Sequence, residues 1–151
     1  SCVRALNRLY RDTPALWEVE DGWQGFQWLS ANDSDNSILA FARTDRQGNA
    51  LCCVVNFTPV FHPVYRIGLP AAGTLSEVFN TDREEYGGSN QYNAWTVSAS
   101  PQVWNGLPFC ADICVPPLAC VYFAYTKIPA PPPEVFSKER PAPPPVPRES
   151  A

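Results

Sequence analysis

Between residues 26 and 126 the sequence breaks into short β-type apolar runs, each closed by a cluster of turn-forming residues. That punctuation constrains the fold more than any other feature. Strands are expected near 26–29, 37–43, 50–58, 64–69, 74–79, 95–99, 110–115 and 119–126. Eight short strands suit two packed sheets, so the expected fold class is all-β, an antiparallel β-sandwich. Thr44-Asp45-Arg46-Gln47-Gly48-Asn49 reads as a hairpin connection in which Gly48-Asn49 supplies positive φ, so the strands on either side of it should pair. In 110–115 the alternation puts Ala111, Ile113 and Val115 on one face and Cys110, Asp112 and Cys114 on the other; the charged face is expected to be wet, leaving Cys110 and Cys114 outside the core. Pro116-Pro117 donates no ladder hydrogen bond and makes a corner.

Two segments lie outside this pattern. Val3, Leu6 and Tyr10 recur at helical spacing with Leu9 beside them, Arg4, Arg8 and Arg11 line another face, and Thr13-Pro14 ends the helix. A three-turn helix is marginal alone, so its apolar stripe should dock on this domain or on a neighbouring one. Nine of the chain's 17 prolines fall in 127–151, and Pro129-Ala130-Pro131-Pro132-Pro133 and Pro141-Ala142-Pro143-Pro144-Pro145 favour an extended, unpacked tail. The organisation expected is a helix and linker over 1–20, a sandwich over 21–126 and a disordered Pro-rich tail over 127–151. No signal-peptide pattern precedes the helix and methionine is absent, so the chain reads as a piece of something longer.

Charge excludes several functions. The formal net charge is −4, and the tail's four Lys/Arg against three Glu leave the rest at −5 with no basic cluster. Nucleic acid and anionic membrane surfaces are poor partners for such a body. The longest apolar run, 118–125, is far shorter than the roughly 18 residues of a membrane-spanning helix. With 45% hydrophobic and 13% aromatic residues, the folded part can bury a core of its own. Six cysteines are too few for a disulfide-built scaffold of this size and read as thiols in a reducing, cytoplasmic setting. Asn32-Asp33-Ser34 and Asn56-Phe57-Thr58 match glycosylation acceptors, which matter only in a secreted protein.

Chemistry-bearing patterns are sparse. His62 is the sole histidine, placed between Phe61 and Pro63 and expected in an exposed loop, so His-based metal clusters and hydrolase triads lack parts. Cys110-x-x-x-Cys114 lies on a strand and gives weak support to a metal site; no metal and no cofactor is expected. Asn32-Asp33-Ser34-Asp35-Asn36 resembles a calcium loop, but Ile38 stands where the turn glycine is needed, and turn formation is the better reading. Asp82, Glu84 and Glu85, in the long 80–93 loop, raise the question of paired carboxylates, yet no apolar pocket is evident and a solvated acidic loop is expected. Tyr86-Gly87-Gly88-Ser89-Asn90 lacks the lysine and the helix of a phosphate cradle. Tyr86, Tyr92, Trp95 and Trp104 fall in or beside loops, where rings can stack on sugars or dock against another domain. They are the candidate site residues.

Leu6-Asn7-Arg8-Leu9-Tyr10 with Pro14-Ala15-Leu16, Gly25-Phe26-Gln27-Trp28, Asn56-Phe57-Thr58-Pro59-Val60, Tyr65-Arg66-Ile67-Gly68, Asn80-Thr81-Asp82, Tyr86-Gly87-Gly88-Ser89-Asn90 and Pro116-Pro117-Leu118 form an ordered set. Together they resemble the all-β C-terminal domain of bacterial-type 1,4-α-glucan branching enzymes of the α-amylase superfamily. The resemblance spans residues 1 to about 126; the Pro-rich tail has no counterpart in it. Asn105-Gly106-Leu107-Pro108-Phe109-Cys110 stands where that family usually carries a stretch with two histidines and an arginine. The resemblance implies a parent enzyme that moves an α-1,4 glucan segment to a 6-hydroxyl, with its catalytic acids in an upstream barrel. This segment would then be non-catalytic, capping the barrel and helping to hold glucan, with that barrel and the glucan as its partners. The alternatives are an independent α-glucan-binding module using Tyr92, Trp95 or Trp104, and an interaction domain that docks through its Pro-rich tail.

Overall fold

The computed structural model describes residues 1–130; the expectation for the Pro-rich tail falls largely outside them. Every strand predicted from the pattern forms. They are β1 (Phe26–Asp33), β2 (Ile38–Thr44), β3 (Ala50–Asn56), β4 (His62–Leu69), β5 (Gly73–Asn80), β6 (Val97–Ser98), β7 (Phe109–Val115) and β8 (Cys120–Lys127), preceded by one helix, α1 (Cys2–Asp12). A six-stranded sheet runs β1-β2-β3-β8-β5-β6, and β4 and β7 form a two-stranded ribbon packed against it. All pairings are antiparallel.

Period-two alternation builds the core. Ile38, Ala40 and Ala42 of β2, Cys52 and Val54 of β3, Leu75 of β5 and Val121, Phe123 and Tyr125 of β8 point inward from the large sheet. They meet Ile67 and Leu69 of β4 and Ala111, Ile113 and Val115 of β7, the last three on the face expected from the sequence. A bulge in β1 between Trp28 and Ser30 lets the adjacent residues Leu29 and Ser30 both be buried. The β2–β3 hairpin forms in full register from Ile38–Asn56 to Thr44–Ala50. Gly48 alone takes the left-handed conformation, at φ 87°; Asn49 instead donates its amide N–H and side-chain N–H to the buried Asp45 carboxylate.

Buried asparagines fix the corners. Asn56 donates to the Val60 and Pro116 carbonyls at 2.8 and 2.9 Å and accepts from Thr58 N–H and Oγ1, which ties the end of β3 to the β7–β8 corner. Every polar group of its amide is therefore engaged, and the Asn56-Phe57-Thr58 tripeptide offers no free acceptor for a glycan. Leu118 at that corner takes φ 46° and donates to the Thr58 carbonyl at 2.8 Å. Asp33 makes the turn of the 32–36 stretch, accepting from the Asn36 backbone and side chain as expected for turn formers.

Three expectations need correction. Cys110 is 2% exposed and belongs to the interior, because Ser100 exchanges two hydrogen bonds with it at 2.7 and 3.0 Å and so covers the outer edge of β7. His62 opens β4 rather than lying in an exposed loop; it is half-buried edge-on to Tyr65, with Nε2 buried and unpartnered among the described residues. Asp82 is buried, not solvated: its carboxylate accepts from Ser89 N–H, Ser89 Oγ and Gln91 N–H at 2.7–2.9 Å and closes the 80–93 loop on itself.

Candidate functional site

The outward-facing residues of the large sheet form a transverse row. Ladder pairing sets Trp28 opposite Phe41, Phe41 opposite Cys53, Cys53 opposite Tyr122 and Tyr122 opposite Phe79, so one line of mostly aromatic side chains crosses five strands. At the β1 end the row becomes a cluster. Phe26 and Phe41 stack at 5.3 Å, Trp28 meets both edge-on at 5.0 and 6.2 Å, and Trp23 meets Phe26 edge-on at 6.2 Å. Trp23 is 83% and Trp28 48% exposed, so the cluster turns its largest rings to solvent.

Local sequence explains how the rings are held. The 3-10 turn Trp23–Gly25 swings Trp23 over the start of β1, and Gly25 permits it because a Cβ there would press on Val19 and on the Thr44 carbonyl. Arg43, beside Phe41 on β2, donates to the Ala15 and Val19 carbonyls and straps the 13–25 segment across β2. Glu20, Asp21, Gly22, Trp23, Phe26 and Arg43 line an open pocket of ≈ 270 Å³ on one side of the cluster. On the other side Trp28, Asn32, Asp33 and Asn105 help line a second, of ≈ 330 Å³. Burial pushes the Asp33 carboxyl up, but hydrogen bonds from Tyr65 and Asn36 outweigh it and hold the group below its ordinary value. Aromatic faces beside carboxylate and amide groups can stack on a ring and hydrogen-bond hydroxyls; they offer no nucleophile with a base beside it. Among the described residues no group of three or more His, Cys, Asp or Glu is placed to hold a metal ion, and no helix is long and apolar enough to cross a membrane.

The four rings singled out from the sequence are dispersed. Tyr86, in the 3-10 turn Glu84–Tyr86, is half-buried against Phe79 at 5.6 Å and so extends the transverse row from within. Tyr92 is 43% exposed under the Arg83 guanidinium, 4.0 Å from its centroid. Trp104 lies 5.3 Å from Arg66, next to Asn105 of the second pocket. Trp95 is 83% exposed and stands apart from those contacts. Sequence reasoning missed Trp23, Phe26, Trp28 and Phe41 as a group. Phe26 and Trp28 are two apart and share a strand face, and the legible β2–β3 hairpin puts Phe41 on the neighbouring strand; the register that joins the three was the missing signal.

A family model described as "Alpha amylase, C-terminal all-beta domain" matches residues 28–126. The chain is 45% identical over 116 residues to the 1,4-alpha-glucan branching enzyme GlgB of Dechloromonas aromatica, covering 77% of this chain and 19% of that protein. It is 46% identical over 122 residues to the protein of the same name from Burkholderia vietnamiensis (81% and 17%) and 41% over 122 residues to that of Halothermothrix orenii (80% and 19%). The chain thus spans less than a fifth of the length of these relatives.

Proposed function

Because the chain belongs to the α-amylase C-terminal all-β domain family, we propose that it is the accessory domain of a 1,4-α-glucan branching enzyme. In this reading the full-length protein moves an α-1,4 glucan segment to a 6-hydroxyl, using catalytic acids upstream of residue 1. Residues 1–20 form the junction with the catalytic barrel and 21–126 the sandwich that caps it. The setting is cytoplasmic, which suits six cysteines that are all free thiols. What carries the reading in this structure is the Trp23/Phe26/Trp28/Phe41 cluster, an exposed aromatic face flanked by hydrogen-bonding groups and unsupported by any acid–base pair. Such a face holds a glucan chain without reacting with it. Trp95, Tyr92 and Trp104 are further proposed contacts, for glucan or for the barrel; Tyr86 acts mainly by packing on Phe79.

The test uses the full-length protein. Trp23→Ala with Trp28→Ala should abolish its retardation in native gels containing amylopectin and leave turnover on short malto-oligosaccharides within about twofold of the parent. Unchanged retardation would assign the cluster to domain contact instead, and the same gels with Trp95→Ala would then decide whether sugar is held elsewhere on this domain.

A further inference from the structure

We propose that Cys53 and Cys120 are a redox-modification site, in which hydrogen peroxide converts two thiols into a reversible cross-strand disulfide that staples β3 to β8. The proposal is independent of the glucan reading. The two sulfurs lie 3.4 Å apart, across the central strand pair of the large sheet. Cys53 faces Tyr122 and Val55 faces Cys120 in the ladder, so the cysteines are diagonal neighbours on the same outward face. Closing 3.4 Å to a bond of about 2.05 Å asks each sulfur to move roughly 0.7 Å, within reach of χ1 rotation.

The two thiols differ as a sensing pair should. Cys120 is half-buried and Cys53 2% exposed, so an oxidant reaches Cys120 first. The two thiols share a hydrogen bond, which lowers the Cys120 pKa and raises that of Cys53. The Cys120 thiolate attacks one peroxide oxygen, breaking the O–O bond to give a sulfenic acid and hydroxide. The Cys53 sulfur then attacks the sulfenic sulfur; its proton and the departing hydroxyl leave as water, and two electrons in all have passed to peroxide. Cys52, one residue from Cys53, points to the opposite face of the sheet, into the core and away from the Cys53–Cys120 pair. It is an internal control.

The full chain is treated with hydrogen peroxide, blocked with N-ethylmaleimide, and analysed by intact mass and non-reducing peptide mapping. The expected product carries two fewer maleimides than the reduced protein, contains one peptide joining Cys53 to Cys120, and reverts with dithiothreitol. Its melting temperature should rise by about 5–15 °C, since a cross-link over this span restricts the unfolded chain. A Cys120→Ser variant should keep all its remaining thiols after the same treatment. The proposal is overturned by a full complement of maleimides after peroxide, by stable oxygen adducts on Cys120 without a cross-link, or by a cross-link that survives in the Cys120→Ser variant.

Discussion

Asp82 takes its place in this fold as a structural anchor rather than as an acid in waiting. Three donors, Ser89 N–H, Ser89 Oγ and Gln91 N–H, spend their hydrogen bonds on its carboxylate, and a truncated side chain would take away the acceptor that holds them together. Asp82→Ala should therefore cost about 1–3 kcal/mol in urea unfolding and accelerate hydrogen exchange at the Ser89 and Gln91 amides. Other ionisable groups set the pH range of the domain. Hydrogen bonds overcome burial to hold Asp33 and Asp45 below the ordinary carboxyl value, and the Arg66 hydrogen bond does the same for Asp112. Unfolded carboxyls titrate near about 3.9, so this contribution is whole above about pH 5 and is lost as pH falls through the lower folded values. At the other end, burial pushes the phenols of Tyr65 and Tyr125 up to about 12. Their contribution is whole below the unfolded value of about 10 and is lost as pH rises toward 12. The buried thiols of Cys52 and Cys114, pushed up to about 12 and about 11, add to the alkaline loss from the unfolded thiol value of about 8.5, so the urea midpoint should be flat from about pH 5 to 8 and fall on both sides. Tyr125→Phe, which gives up the hydrogen bonds to Ala71, should lower the plateau and flatten the alkaline slope.

At the level of elements, local alternation and turn chemistry made the strands legible, because both act over a few residues. The β2–β3 hairpin needed only Gly48 and two alternating runs, and Ala111, Ile113 and Val115 declared their face by spacing alone. Cys110 defeated the same logic: the groups that cover it, on Ser100, come from a segment with no strand pattern of its own. The aromatic cluster was hidden for a related reason, since Trp23, Phe26, Trp28 and Phe41 become one face only when a 3-10 turn and two strands are put in register. His62 was misplaced because Phe61-His62-Pro63 reads as a turn, whereas β4 begins there and accommodates Pro63 at a register shift. Gly68 marks how closely the non-strand cover is packed. A Cβ at that position would run into the Trp104 carbonyl and press on Leu107. Gly68→Ala should thus destabilise the domain by about 1–3 kcal/mol and shift tryptophan fluorescence to the red as the 100–107 segment lifts.

On the scale of the whole molecule, the unfinished part is α1. Its sequence supplies an apolar stripe, yet none of its residues is buried, and Val3 and Tyr10 remain 66% and 46% exposed. The link between α1 and the sheet is the 3-10 turn Pro14–Leu16 with its buried Ala15, so the helix is tethered to the domain but not enclosed by it. Leu6 and Leu9 are half-buried, and the part of the stripe that its own domain leaves in water, at Val3 and Tyr10, is explained if it is the contact surface for the catalytic barrel proposed upstream. Val3→Glu separates that account from a helix that is merely exposed. In the isolated chain the substitution should change stability by no more than about 0.5 kcal/mol, because it replaces an exposed β-branched residue with a better helix former and puts an acid into a first turn that has none. In the full-length protein the same glutamate would be pressed, unpaired, into an apolar interface, and the melting temperature should fall by several degrees with branching activity falling in parallel. Equal melting shifts in the isolated chain and the full-length protein would mean that the stripe faces solvent in both, and the barrel would have to hold this domain by another surface.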